Sequence, residues 1–99
     1  MLRPYRITSE GIKDLERIWQ YTLENWSLEQ ADRYYTLIIK EIEYLSHNFF
    51  SGKSADHIRK GYRSSIVKSH LIFYRKADDG IMEVIRILHH SMEVKKHLK

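Results

Sequence analysis

Ser27-Leu28-Glu29-Gln30-Ala31-Asp32-Arg33-Tyr34-Tyr35-Thr36-Leu37-Ile38-Ile39-Lys40-Glu41-Ile42-Glu43-Tyr44-Leu45 is the stretch on which the fold turns. It opens on a capping box, a serine followed three residues later by glutamine, in which side chains can satisfy free backbone N–H groups at a helix start. Ala31, Tyr35, Ile38, Ile42, Leu45 and Phe49 then recur at intervals of four and three. That period is one face of an amphipathic helix.

Upstream, Thr8 reads as an N-cap and Glu10 places an acid in the first turn, where the helix dipole favours it. Ile12, Leu15, Trp19, Leu23 and Trp26, widened by Ile18, give a second apolar stripe in a helix running to about Asn25. The connection at Trp26-Ser27 is too short for anything but an antiparallel helical hairpin. Tyr5-Arg6-Ile7 before it reads as a short strand, with Pro4 at its beginning, where a missing N–H is tolerated.

Downstream, Gly52 and Gly61 punctuate a polar, basic loop. Three runs with strand character follow: Tyr62–Val67, His70–Lys76 and Ile81–His89. Leu71-Ile72-Phe73-Tyr74 is apolar on both faces and predicts a central strand, and Asp78-Asp79-Gly80 predicts a hairpin turn. The layout is β-α-α-β-β-β, an α+β fold with the helical hairpin packed on an antiparallel sheet, in one domain over residues 1–99. Trp19, Trp26, Tyr35 and Ile42 are expected to meet Phe73, Ile85 and Ile87 at the interface. The tail from His90 is polar, with room for one helical turn. Met92, Val94 and Leu98 are its only apolar anchors.

The chain has 99 residues and no cysteine, so disulfides and thiolate metal sites are excluded. No apolar run approaches the ~20 residues of a membrane span, and the start carries no signal-peptide core. A cytoplasmic protein is expected. Of the net charge of +4, residues 1–52 contribute 6 − 8 = −2, residues 53–76 contribute 7 − 1 = +6, and the remainder balances. A basic middle suits an acidic protein partner or a phosphate backbone, or serves to keep a sheet edge soluble.

His89, His90 and His97 lie close in sequence, but neighbours on a strand point to opposite faces, so they make a poor metal set. Ser64, Ser65 and Ser69 near His70 lack the strained turn of an activated nucleophile. There is no Gly-rich phosphate loop. Acid–base cleavage of a nucleic acid stays open, with Arg59, Lys60, Arg63, Lys68, Arg75 and Arg86 as cations and His70, His89 and His90 as proton carriers.

Asp14-Leu15-Glu16-Arg17-Ile18-Trp19-Gln20-Tyr21-Thr22 with Gln30-Ala31-Asp32-Arg33-Tyr34 resembles the ParE toxin family. So do Gly61-Tyr62-Arg63, Ser69-His70-Leu71-Ile72-Phe73-Tyr74-Arg75 and Ile85-Arg86-Ile87-Leu88-His89, in the family's order across nearly the whole chain. The resemblance implies the fold shared with RelE-type toxins. It also implies a cofactor-free, non-catalytic toxin of a type II toxin–antitoxin pair, acting on DNA gyrase with DNA bound, through the A subunit, and neutralised by a ParD-like antitoxin. Sequence-specific DNA binding would belong to the antitoxin. Arg86, His89, His90, Met92, Lys95 and Lys96 become the expected target contacts. Arg59, Lys60, Arg63, Phe73 and Arg75 become the expected antitoxin contacts. The alternative is a RelE-like, ribosome-dependent mRNA endonuclease. Such relatives typically carry an arginine after the strand histidine, where this chain has Leu71. Ser91 stands where many ParE members are basic.

Overall fold

The computed structural model describes residues 5–98, so the place of Pro4 and of Lys99 lies outside the described residues. The elements are β1 (Tyr5–Ile7), α1 (Ser9–Asn25), α2 (Leu28–His47), β2 (Lys53–Ser54), β3 (Arg63–Val67), β4 (His70–Lys76), β5 (Met82–His89) and a single turn, α3 (Val94–His97). Both expected caps are present: Thr8 accepts from the Gly11 N–H and Ser27 from the Gln30 N–H.

The sheet order is β1-β5-β4-β3-β2. The expected antiparallel meander β3-β4-β5 is there, with β4 central, but the sheet as a whole is mixed. β1 runs parallel to β5, with Tyr5 opposite Met82 and Ile7 opposite Val84, and the two-residue β2 pairs with β3. The α1–α2 hairpin carries the chain from β1 at one edge of the sheet to β2 at the other, and the β2–β5 meander then returns to lie parallel to β1.

The helices cover one face. Leu15, Ile38, Ile42, Leu45, Ile72, Tyr74, Val84 and Ile87 form the main core there. The α2 stripe is buried at Ala31, Ile38, Ile42 and Leu45, although Tyr35 is largely exposed. The α1 stripe is rotated from its expected position. Its buried residues are Gly11, Asp14, Leu15 and Thr22. Ile12 and Trp26 are exposed, so Trp26 and Tyr35 do not pack on the sheet.

The opposite face has a core of its own. Ala55, Tyr62, Phe73, Leu88 and Leu98 are buried together, with Ile58, Leu71, Ile85 and Val94 packed against them. The loop between β2 and β3 and the C-terminal turn therefore form a second layer. Phe73 and Ile85, expected beneath the helices, lie in this layer, because β4 alternates Ile72 and Tyr74 toward α2 with Leu71 and Phe73 away from it.

Candidate functional site: a groove between the helical hairpin and the end of β5

β1 stops after Ile7, leaving the rest of β5 with an unpaired edge. α1 completes it with side chains. Thr8 Oγ1 donates to the Ile85 carbonyl at 2.8 Å, and the Ile87 N–H donates to Asp14 Oδ2 at 2.9 Å. Asp14 also receives Arg86 Nε at 2.7 Å, Arg86 Nη2 at 2.9 Å and Arg17 Nη2 at 3.0 Å. Burial works to raise the Asp14 carboxyl. The bonds from Arg86, the Ile87 N–H and Arg17 outweigh it and hold the group below the ordinary carboxylate range. Arg86 Nη1 then reaches the His97 carbonyl at 3.2 Å, tying α1, β5 and α3 together.

Beside this pin, a groove of about 1120 Å³ runs between the hairpin and the β3–β4 turn. Its lower wall holds an aromatic and imidazole chain. Tyr34 Oη lies 3.0 Å from the Val67 carbonyl and 2.6 Å from His70 Nδ1. One hydroxyl proton satisfies both contacts when Tyr34 donates to Val67 and accepts from Nδ1–H, which leaves His70 Nε2 as the free acceptor. His70 meets His89 edge-on at 5.3 Å, and His89 stacks on His90 at 4.5 Å. Burial, with His89 and His90 nearby, pushes His70 down to about 4, against the opposing charge of Asp14. His70 is thus neutral at pH 7.

The expectation that His89 and His90 diverge fails because β5 ends at His89, and alternation does not carry past a strand end. Even so, among the described residues no group of three or more His, Cys, Asp or Glu is placed to hold a metal ion. Ser91 Oγ lies 2.6 Å from His89 Nδ1 and fixes that ring.

The expected target contacts separate into two sets. Arg86, His89 and Met92 line the groove, but Arg86 is nearly enclosed and committed to Asp14 and His97. His90, Lys95 and Lys96 are exposed on the turn and on α3. The expected antitoxin contacts also divide. Arg59 and Lys60 are exposed on the second-layer loop. Arg75 is half-buried and paired with Glu83 at 3.0 Å, which Arg6 also reaches at 3.2 Å. Arg63 turns inward to the Phe50 and Gly52 carbonyls, with its guanidinium 5.1 Å from the centre of the Phe50 ring. Phe73 is buried in the second core. Arg63 is half-buried, whereas Phe73 is enclosed. The missed residues are Asp14 and Tyr34. Both lie inside the quoted family segments, but local sequence offers no sign that an acid within a helical stripe is buried.

The family described as the ParE toxin of type II toxin–antitoxin system, parDE, matches residues 5–94. This chain belongs to the ParE toxin family. It is 36% identical over 98 residues to Toxin ParE1 of Caulobacter vibrioides, covering 98% of this chain and 99% of that one. It is 34% identical over 94 residues to Toxin ParE1 of Mycobacterium tuberculosis, covering 95% and 96%. In fold it is similar to a solved chain of the chromosomal ParDE toxin–antitoxin system from P. aeruginosa, with a TM-score of 0.74 over 86% of this chain and 92% of that one, at 17% identity. As in the sequence reading, this ParE-family chain is α+β, with a helical hairpin on a sheet. Among the described residues, no helix is long and apolar enough to cross a membrane.

Proposed function

We propose that this protein is the toxin of a type II pair that inhibits DNA gyrase without catalysing a reaction, and that a ParD-like antitoxin neutralises it. Membership of the ParE family over residues 5–94 carries the reading. The C-terminal surface supports it. His90, Met92, Lys95 and Lys96 are exposed on a segment anchored at both ends, by the Ser91–His89 contact and by Leu98 in the second core. A pre-ordered segment loses less entropy on binding than a frayed one. Its charge suits a target site that contains DNA.

For the antitoxin, the exposed Arg59 and Lys60, in the basic segment 53–76 that also holds Arg75, offer an electrostatic landing surface for an acidic segment. Against the endonuclease alternative, Leu71 is packed in the second core and supplies no cation next to His70. Metal-free phosphoryl transfer depends on placed cations. Expression in a bacterial host tests the proposal. Cells should stop dividing, form filaments and induce the DNA-damage response, and co-expression of the adjacent antitoxin gene should restore growth. Translation arrest with codon-specific mRNA cleavage, and no DNA-damage response, would favour the endonuclease.

A further inference from the structure

Two aromatic rings stand in water at the mouth of the groove. Tyr21 is 59% exposed and Trp26 62% exposed, with their ring centroids 5.9 Å apart. Neither contributes to a core. Large apolar groups left together in solvent mark binding surfaces more often than chance. Besides Arg86, which is committed to Asp14, the same groove is lined by three further cations, Arg17, Arg33 and Lys68. Arg33 and Lys68 are exposed, and among the described residues neither has an ion-pair partner. The side chain of Arg17 is 64% exposed despite its contact with Asp14.

The acids of the groove do not cancel this charge. Asp14 is matched by Arg86 at 2.7 Å, and Glu10 lies 3.8 Å from Lys13. Lys68 is also, among the described residues, the only non-glycine residue with positive φ, at 50°. It occupies the first position of the two-residue turn between β3 and β4, where glycine or asparagine is the unstrained choice. An amine is held at the groove's rim against the backbone's preference.

We infer that this groove binds single-stranded nucleic acid, with bases stacking on Trp26 and Tyr21 and phosphates lying along Arg33, Lys68 and Arg17. Unpaired bases have free π faces and a duplex does not, so exposed rings flanked by cations select single strands without reading sequence. A groove of about 1120 Å³ is larger than a usual small-molecule pocket and suits an extended ligand. Rings that line a groove yet stand this far out in solvent suit stacking better than they suit the side-chain anchors of an acidic peptide. The inference goes beyond the toxin reading and does not depend on gyrase.

Fluorescence anisotropy of the full chain tests it, with labelled twelve-residue oligothymidylate, oligouridylate and a twelve-base-pair duplex. Single strands should bind about tenfold tighter than duplex and quench tryptophan emission. Their affinity should fall about twentyfold between 50 and 200 mM salt, as three phosphate contacts on a single strand require. Trp26→Ala and the pair Arg33→Ala/Lys68→Ala should each weaken binding about fivefold or more. These side chains are exposed, so circular dichroism should be unchanged. A tighter DNA or RNA arm identifies the natural strand, and equal arms support the inference as stated. Three results would overturn it: no binding at 100 μM strand in low salt, affinity indifferent to these substitutions, or an acidic amphipathic peptide that binds through the same residues when oligonucleotides do not.

Discussion

Arg86 gives both its Nε–H and an Nη2–H to the carboxylate of Asp14, at 2.7 and 2.9 Å, across 72 positions of chain. The pair closes the open edge of β5 against α1 and, through the His97 carbonyl, holds the C-terminal turn. Removing one member of a buried pair strands the other, at a typical cost of about 3–5 kcal/mol. Asp14→Ala should fall in that range in urea denaturation. Arg86→Met should cost less, because Asp14 keeps the Ile87 N–H and Arg17. The double variant should be less destabilised than the sum of the two, and simple additivity would mean that the pair does not act as a unit.

Acid should unfold the protein in two windows. His70 has a folded pKa of about 4 against an ordinary value of ~6.5, so the unfolded chain holds more protons between those limits. Stability should fall as pH drops from about 6.5 to 4, by about 1–3 kcal/mol once partial access to water is allowed for. Asp14, held below the carboxylate range, contributes stability above the ordinary carboxylate pKa that is lost as pH falls through its folded value. His70→Asn should flatten the upper window and leave the lower one. A wild-type curve that is flat between pH 6.5 and 4.5 would contradict the burial of a neutral His70.

Gly52 is fixed by space. A Cβ there would strike the Tyr74 hydroxyl and lie 2.7 Å from the Ser64 carbonyl. Tyr74 cannot retreat, because it is fully buried and its hydroxyl donates to the Phe49 carbonyl at 2.7 Å. Gly52→Ala should cost about 2 kcal/mol or more, in the range of overpacked sites. Tyr74→Phe in that background should recover part of the loss, as thermal melts of the four variants would show. A neutral Gly52→Ala would mean that the turn has slack.

What could be read from sequence follows the range of the interactions involved. α2 was legible because its stripe is apolar and its partners fill one face. The α1 register was legible only in part: Leu15 of the expected stripe is buried, but Trp19 and Trp26 look like core by period, whereas the other buried positions are Gly11, Asp14 and Thr22. Asp14 can be buried only because Arg86 lies opposite it, and no local window contains both. The second core escaped for a related reason. It is assembled from a loop, a strand face and Leu98, none of which is periodic by itself. At the site, the basic surface residues Arg59, Lys60, Lys95 and Lys96 were legible as exposed, while Arg63 and Phe73 turned inward.

The tail is more structural than its composition implies. Leu98 is buried in the second core, Val94 packs beside it, and the His97 carbonyl accepts from Arg86. Truncation after His90 therefore uncovers Phe73 and Leu88 and should cost at least the ~1.5–3 kcal/mol of a buried leucine, read as a lower urea midpoint. An unchanged midpoint would return the tail to the frayed state expected of most termini. Because truncation confounds folding with contact, Met92→Ala and Lys95→Glu/Lys96→Glu are the sharper probes of target binding. All three side chains are exposed.

The most direct test of the account is inhibition of supercoiling by purified DNA gyrase, with the intact protein, the folded Lys95→Glu/Lys96→Glu variant and the protein saturated with its antitoxin. The account predicts that the intact protein blocks supercoiling, the variant inhibits about tenfold more weakly, and the antitoxin complex does not inhibit. Undisturbed supercoiling at concentrations of the intact protein that cut mRNA in a ribosome assay would contradict it.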